Sequence, residues 1–376
     1  MTPSTTRSTT PVTSCRWSVR SSRTAPRPPR PPDPPSTHHG DSVFRHTLRA
    51  SAAALVLLWP FAAACGTSAK AESASDLSPV TLNVGATGWK NEEAILKFAH
   101  LDDTPYKVEW SLFQGGDQQL QAIRAGALDV ASSSEIPPIF AAADGKPNFE
   151  VVAVQRAATL NQEVVVPKGS EVTDIADLKG KKVGYVQNTT AHYFLYELLK
   201  RAGLKWSDID AKPLLPNDGL AALNGGGIDA FASYGTSIIT ARDQGAVTVG
   251  SGKDILSGNF LWSARDSVLE SPAQRAATAD LIARISRAYA YVRDGRQSEF
   301  AKVIARTTHQ PVVQAEKDFR DAQAQEPTQA RTVGDDTVTS QQKVADAFTE
   351  LGTLKSRLDV KSFWSRKLNT DLKKAL

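Results

Sequence analysis

The sequence predicts an α/β fold of two lobes, each built on a largely parallel sheet. Two observations carry this expectation. From Val80 onward short β-rich runs alternate with helical patterns, the arrangement that layered βαβ units produce. In addition, "AIRAGALDVASS" (122–133) and "ALNGGGIDAFAS" (222–233) share A-x-x-x-G-x-x-D followed by a β-rich run, at an offset of 100 residues, so one plan is used twice. At 376 residues and 41% hydrophobic content the chain has enough material for two packed cores.

The start of the chain stands apart. Seven of the ten positions from 26 to 35 are Pro, within a Ser, Thr and Arg-rich tract unable to bury a core. Residues 1–42 therefore read as a preface outside the fold, with translation expected to begin at Val43. Arg45 and Arg49 precede an apolar run from Ala50 to Phe61, shorter than the roughly 20 residues of a membrane-spanning helix. Small residues Ala62 to Ala64 and then Cys65 follow, so 43–64 reads as a signal peptide. "FAAACG" resembles a bacterial lipobox, in which the Cys is lipidated on sulfur and becomes the mature N-terminus. That places the lipid on Cys65, with 65–79 as a flexible tether to a membrane. Cys15 lies in the preface, so no disulfide is expected in the mature chain. Residues 1–64 carry eight Arg against two Asp, leaving 36 basic and 38 acidic residues, a net −2, for the remainder. This balance does not suggest nucleic acid as a partner.

The elements follow in order. "VTLNVGA" reads as a strand, then a helix begins at Asn91; "YKVEWSLF" is a strand followed by a helix from Asp117. "LDVASSS" leads to a helix at Pro137, whose missing N–H costs nothing in a first turn. "FEVVAVQ" and "EVVVP" are strands. A second series holds "KKVGYV", a helix with Ala191, Phe194, Leu195, Leu198 and Ala202 on one face, and a strand near 212–215. A helix from Asp218, "DAFASYG" and "AVTVGS" complete it. After "NFLWSAR" the pattern from Pro272 is almost wholly helical, with Leu281, Ile285, Ala288 and Val292 on one face.

Three strand-to-helix junctions carry small or hydroxyl residues: Gly115, Gly116 and Asp117; Ser132 to Ser134 ahead of Glu135 and Pro137; and Asn188, Thr189, Thr190 and Ala191. Each helix start points unpaired N–H groups and the positive end of the helix dipole at what lies beyond, which suits an anion. Either each residue set caps its own helix, or the three converge around one anion. There is no G-x-x-x-x-G-K-[ST] and no basic residue between Val186 and Ala191, which argues against a nucleotide. Past the signal peptide only His100, His192 and His309 remain, with no H-x-x-x-H or C-x-x-C spacing, so neither a metal nor another cofactor is expected. No G-x-S-x-G elbow occurs and Cys65 is the lipid site, so no enzyme is expected, with catalysis by a Ser or carboxylate outside any motif left open. The carboxylate pairs Asp102/Asp103 and Glu92/Glu93 read as solvated. Trp89, Tyr193, Tyr234 and Trp262 either line a cleft or pack a core.

These residues resemble the substrate-binding proteins of bacterial ABC importers for aliphatic sulfonates, taurine and nitrate. "PYKVEWSLFQGGDQQLQAIRAGALDVASSSEIPPIFAAADGKP" is similar to that family's strand, Gly-Gly, AGxxD and PPIFA signature. "VVVPKGSEVTDIADLKGKKVGYVQNTTAHYFLYELLKRAGLKWSDI" is similar to its DLKGKKV block and S-A-H-Y helix start. The likeness is close over 80–264 and loose beyond. It implies a two-lobed periplasmic-binding-protein fold of type II, with lobe one at 80–167 plus 259–376 and lobe two at 168–258. Crossovers would lie near Val166 to Lys168 and Ser257 to Asn259, and the lobes would close over a ligand.

By the resemblance, the sulfonate is held by Gln114, Gly115 and Gly116, by Ser134 and Glu135, and by Thr189, Thr190, Ala191 and His192; Asn188 of the same junction and Asn259 at the second crossover are further candidates for the site. Three places differ from the family pattern. Ser233, Tyr234, Gly235 and Thr236 stand where Trp-Asp-Pro-Tyr is common, Ser134 replaces a Gly, and "GATGWK" puts Gly88 and Trp89 where a polar contact is usual. The aromatic wall of Trp89 suits a sulfonate larger or more apolar than taurine. The implied partners are a small organic anion and an ABC permease with its ATPase, for a monomer anchored by lipid outside the cytoplasm. Nitrate or a thiamine-precursor pyrimidine as ligand, and a desulfinase-like enzyme on the same fold, are the competing readings; the last requires a Cys nucleophile.

Overall fold

The computed structural model describes residues 76–376; the preface, the signal segment, Cys65 and most of the tether lie outside the described residues. The first series comprises β1 (Thr81–Thr87), α1 (Asn91–Phe98), β2 (Lys107–Phe113), α2 (Gly116–Arg124), β3 (Val130–Ser134), α3 (Pro137–Ala143) and β4 (Phe149–Arg156). The second comprises β5 (Gln162–Val166), β6 (Lys182–Tyr185), α4 (Thr190–Arg201), β7 (Asp210–Pro213), α5 (Pro216–Asn224), β8 (Ala230–Tyr234), α6 (Thr236–Asp243) and β9 (Val247–Ser251). Then come β10 (Asn259–Arg265), α7 (Asp266–Glu270), α8 (Pro272–Arg293), α9 (Gln297–Thr308), α10 (Val312–Gln325), β11 (Gln329–Thr332), α11 (Asp335–Glu350) and α12 (Asn369–Ala375).

The repeat seen in the sequence is a repeat of topology. One sheet orders its strands β2-β1-β3-β10-β4 with β11 at the edge, the other β7-β6-β8-β5-β9. In each, three parallel strands meet one antiparallel strand that arrives after a crossing, β10 in the first sheet and β5 in the second. The shared Asp has the same task in both. Asp129 Oδ2 accepts the backbone N–H of Asn83 at 2.9 Å, and Asp229 Oδ2 accepts that of Lys182 at 2.7 Å. Each carboxylate thereby pins the strand it opens to the neighbouring parallel strand, β3 to β1 and β8 to β6. Gly126 and Gly226 just ahead have φ of 76° and 71°, a conformation that costs a side chain energy and Gly none.

The first crossing differs from expectation. β5 pairs with β8 and β9, so the chain passes between the sheets at 157–161 and not at Val166 to Lys168. All five β5 residues are buried, and full burial of each of Val164, Val165 and Val166 contributes about 1.5 to 3 kcal/mol. Pro167 to Ser170, which looks like a linker, is a tight turn closed by Ser170 N–H on the Pro167 carbonyl at 3.1 Å. β7 begins at Asp210, two residues before the expected Lys212, and β11 interrupts a region read as helical.

The first sheet is covered on both faces, as strand alternation requires. Trp262, Val84 and Val152 face a core shared with α1, α8 and α9, while their neighbours Leu261 and Val151 face one shared with α2, α3 and α11. Trp262 is fully buried, so of its two readings core packing holds.

Candidate functional site

A cavity of about 730 Å³ opens at the carboxyl ends of the parallel strands and is lined from both sheets. Thr87 of β1, Phe113 of β2, Ser134 of β3 and Tyr234 of β8 stand on its wall. This is the end of an open α/β sheet where ligands bind, because helix starts gather there. Six helix starts reach the wall: Asn91 of α1, Gly116 of α2, Pro137 of α3, Thr190 of α4, Pro216 of α5 and Thr236 of α6. Their N–H groups and dipoles make the region favourable to an anion without any formal charge.

Close packing positions these starts. A Cβ on Gly116 would lie 2.5 Å from Ser133 Cβ and 2.8 Å from Pro137 Cγ, so only Gly lets α2 begin against the end of β3 and the start of α3. Gln119 of α2, fully buried, donates to the Ser132 carbonyl at 2.9 Å and accepts the Ser132 N–H at 3.1 Å, which fixes the serine run. At α4, Thr189 Oγ1 donates to the Val186 carbonyl at 2.7 Å and accepts the Ala191 N–H at 3.2 Å. Thr190, the first residue of α4, is 7% exposed and faces the cavity. Tyr234 reaches from the second sheet to the Gln114 carbonyl of the first at 3.4 Å, and burial pushes its hydroxyl pKa well up, so it stays a neutral donor.

Of the fourteen residues expected in the site, Gly88, Trp89, Gln114, Gly116, Ser134, Thr189, Thr190 and Tyr234 line the cavity. The other six are engaged elsewhere. Glu135 accepts Ser257 Oγ at 2.7 Å and Ser340 Oγ at 3.0 Å, joining α3 to the second crossing and to α11. Asn259 accepts Arg156 Nη1 at 2.7 Å within the same crossing. His192 packs among Tyr185, Trp206 and Phe348 with ring centroids 4.9 to 5.0 Å away, and burial lowers its pKa to about 4. Asn188 adopts φ 58° and gives its N–H to His192 Nδ1 at 3.4 Å. The Ala191 N–H is taken by Thr189, and Gly115 is the buried extended residue that caps α2.

The sequence reading missed a whole wall. Tyr289 of α8, Phe300 and Ile304 of α9, Asp318 and Phe319 of α10, and Gln310 between the last two helices line the cavity. Gln155, Asn161 and Gln162 beside the first crossing line it as well. Glu92, read as solvated, is 7% exposed and also on the wall. A signal was present: Glu92 shares a core-facing stripe with Ile95, Leu96 and Ala99, and Asp318 one with Ala315, Phe319 and Ala322, both at i, i+3, i+4, i+7. Among the described residues, Glu92 and Asp318 are the only charged ones on the wall, and no Lys, Arg or His lines it. Among the described residues no three His, Cys, Asp or Glu side chains converge as a metal site, and no helix is long and apolar enough to cross a membrane.

Comparison with known proteins agrees with this geometry. Residues 107–253 match the family model described as NMT1/THI5 like. An aliphatic sulfonates-binding protein of Escherichia coli is 30% identical over 295 residues, 77% of this chain and 89% of its own length. The taurine-binding periplasmic protein of Escherichia coli is 26% identical over 156 residues, 40% of this chain and 48% of its own. The crystal structure of the periplasmic aliphatic sulphonate binding protein SsuA from Escherichia coli superposes with a TM-score of 0.66 at 28% identity, covering 77% of this chain and 92% of that one. SsuA from Xanthomonas axonopodis pv. citri, bound to MOPS, has the same fold, with a TM-score of 0.69 at 23% identity over 77% of this chain and 99% of its own. The desulfurization enzyme DszB shares the fold alone, at 13% identity and a TM-score of 0.54. The relatives at higher identity are binding proteins, not enzymes. Two sheets of one topology, a cavity ringed by helix starts and a likeness to binding proteins over 77% of the chain thus agree, and the chain belongs to the aliphatic sulfonate-binding family of ABC-transporter substrate-binding proteins.

Proposed function

We propose that this chain captures an organic sulfonate in the cavity and delivers it, as a monomer, to an ABC permease and its ATPase. One observation carries the reading: six helix starts, with the hydroxyls of Ser134, Thr190 and Tyr234 beside them, face one cavity that no basic side chain lines among the described residues. Neutral donors of this kind hold a strongly acidic oxyanion through direct hydrogen bonds, and affinity then depends little on long-range attraction that salt would screen. The breadth of the cavity and the ring of Trp89 support a sulfonate larger than taurine. Calorimetric titration with pentanesulfonate, taurine, nitrate and an aminopyrimidine tests this. Pentanesulfonate binds most tightly and with a shallow salt dependence; binding of the pyrimidine or nitrate alone overturns the reading.

The lipobox-like "AAAC" supports a lipid on Cys65, a tether over 65–79 and work at the outer face of a membrane, and the Pro-rich character of residues 1–42 ahead of the basic start at Val43 supports their being left untranslated. Replacing Cys65 with Ser releases the protein into the soluble fraction of fractionated cells; unchanged membrane association sinks the anchor.

A further inference from the structure

The cavity wall that holds Trp89, Glu92, Phe300 and Asp318 has a chemistry of its own. Trp89 lies 6.2 Å from Phe300, and Phe300 lies 5.4 Å from Phe319, centroid to centroid, so an aromatic strip runs from the start of α1 across α9 to α10. Glu92 follows Trp89 by three residues and Asp318 precedes Phe319. Neither carboxylate has a Lys, Arg or His within ion-pair distance among the described residues. Burying a carboxylate that lacks a cationic partner is unfavourable, and burial holds the pKa of both above the usual range. Asp318 Oδ1 accepts Gln314 Nε2 at 2.7 Å, but other acceptors on the wall have no donor. Gln310 and Gln162, each 6% exposed, present buried Oε1 atoms to the same cavity with no hydrogen-bond partner, and Asp318 Oδ2 likewise has none. A ligand that is an anion and nothing more would meet two carboxylates, no base, and unanswered acceptors. A group that donates and carries positive charge answers all three, and the half-buried ring of Trp89 on the wall attracts the same kind of group.

We propose that the sulfonate taken here is a zwitterion: its far end carries a cationic nitrogen, received by Glu92 and the aromatic strip, with Asp318 as the second carboxylate on that wall. This rests on the sulfonate reading above and narrows it to long or bulky ammonio-sulfonates. The test compares 3-(trimethylammonio)propane-1-sulfonate with the carbon isostere that lacks its positive charge, 4,4-dimethylpentane-1-sulfonate, by calorimetric titration of the full chain. The two have one shape and differ by one charge. The zwitterion binds at least tenfold more tightly to the unaltered protein. Glu92→Gln weakens the zwitterion by tenfold or more and tightens the isostere, because a like charge has gone; Asp318→Asn shifts both in the same directions by less, and a melting curve confirms that each variant is folded. If the isostere binds as well as the zwitterion, or if Glu92→Gln weakens both equally, the cationic subsite is wrong while the sulfonate reading stands. If neither compound binds, both readings fall.

Discussion

Thr189 and Thr190 are adjacent hydroxyls with different work. Thr189 spends its proton on the Val186 carbonyl and its lone pair on the Ala191 N–H, so it is a helix cap. Thr190 faces the cavity, and among the described residues its hydroxyl has no hydrogen-bond partner, the bonds at this junction belonging to Thr189. Thr189→Ala should therefore cost about 1 kcal/mol of stability and little affinity, whereas Thr190→Val should weaken alkanesulfonate binding roughly tenfold with little loss of stability. Denaturant unfolding and calorimetry on the two variants separate these roles, and equal affinity losses would contradict them. His192 makes a pH prediction. Its folded pKa of about 4 lies below its usual 6.5, so between these values the unfolded chain binds the extra proton. Stability is then complete above about pH 6.5 and falls as pH drops towards 4, by up to about 3 kcal/mol. His192→Phe should flatten that part of the profile in unfolding measured from about pH 7 to 4.5. Sulfonate affinity should stay flat from about pH 6 to 8, because the ring is off the cavity wall and neutral there.

At the scale of elements, the junctions matter more than the helices they open. Gly116 lets α2, α3 and β3 meet, and Gly116→Ala should force them apart by the width of a methyl group. A loss of about 1 to 3 kcal/mol is expected from such overpacking, together with weaker sulfonate binding, because two helix starts on the wall move. Thermal melting and calorimetry check both; unchanged affinity would show that α2 does not touch the ligand. The junctions were legible because Gly, Ser, Thr and Pro at a helix start act within a few residues of chain. β11 was not: "QART" has no apolar alternation and becomes a strand only because β4 offers it a free edge.

For the whole molecule, one guanidinium ties the two crossings together. Arg156 closes β4 just before the first crossing, and its Nη1 donates to the Ser257 carbonyl at 2.6 Å and to Asn259 at 2.7 Å in the second. Its Nη2 donates to Glu326 at the end of α10 at 2.9 Å. Glu135 adds its bond to Ser257 from the side of the first sheet. Arg156→Ala should lower stability by on the order of 2 kcal/mol and loosen the angle between the sheets. X-ray scattering of the ligand-free variant should then give a larger radius of gyration than the unaltered protein, with a sulfonate restoring the compact value. An unchanged radius would locate the hinge control elsewhere.

The chain's own pattern determined that there are two sheets of one plan and that strands end on helix starts rich in Gly and hydroxyls. Those features follow from periods of 2.0 and 3.6 and from turn chemistry, which act over a few residues. Tertiary structure decided the rest. Whether β5 belonged to the first or the second sheet depended on which partners bury Val164 to Val166, a choice made by β8 and β9 some 70 to 85 residues further on. His192 turned from the expected site into an aromatic core because Trp206 and Phe348 were there to cover it. Glu92 passed from presumed solvent to the cavity wall because α8 and α9 close over α1. Burial is a property of what the remote chain brings, and no local spacing encodes it.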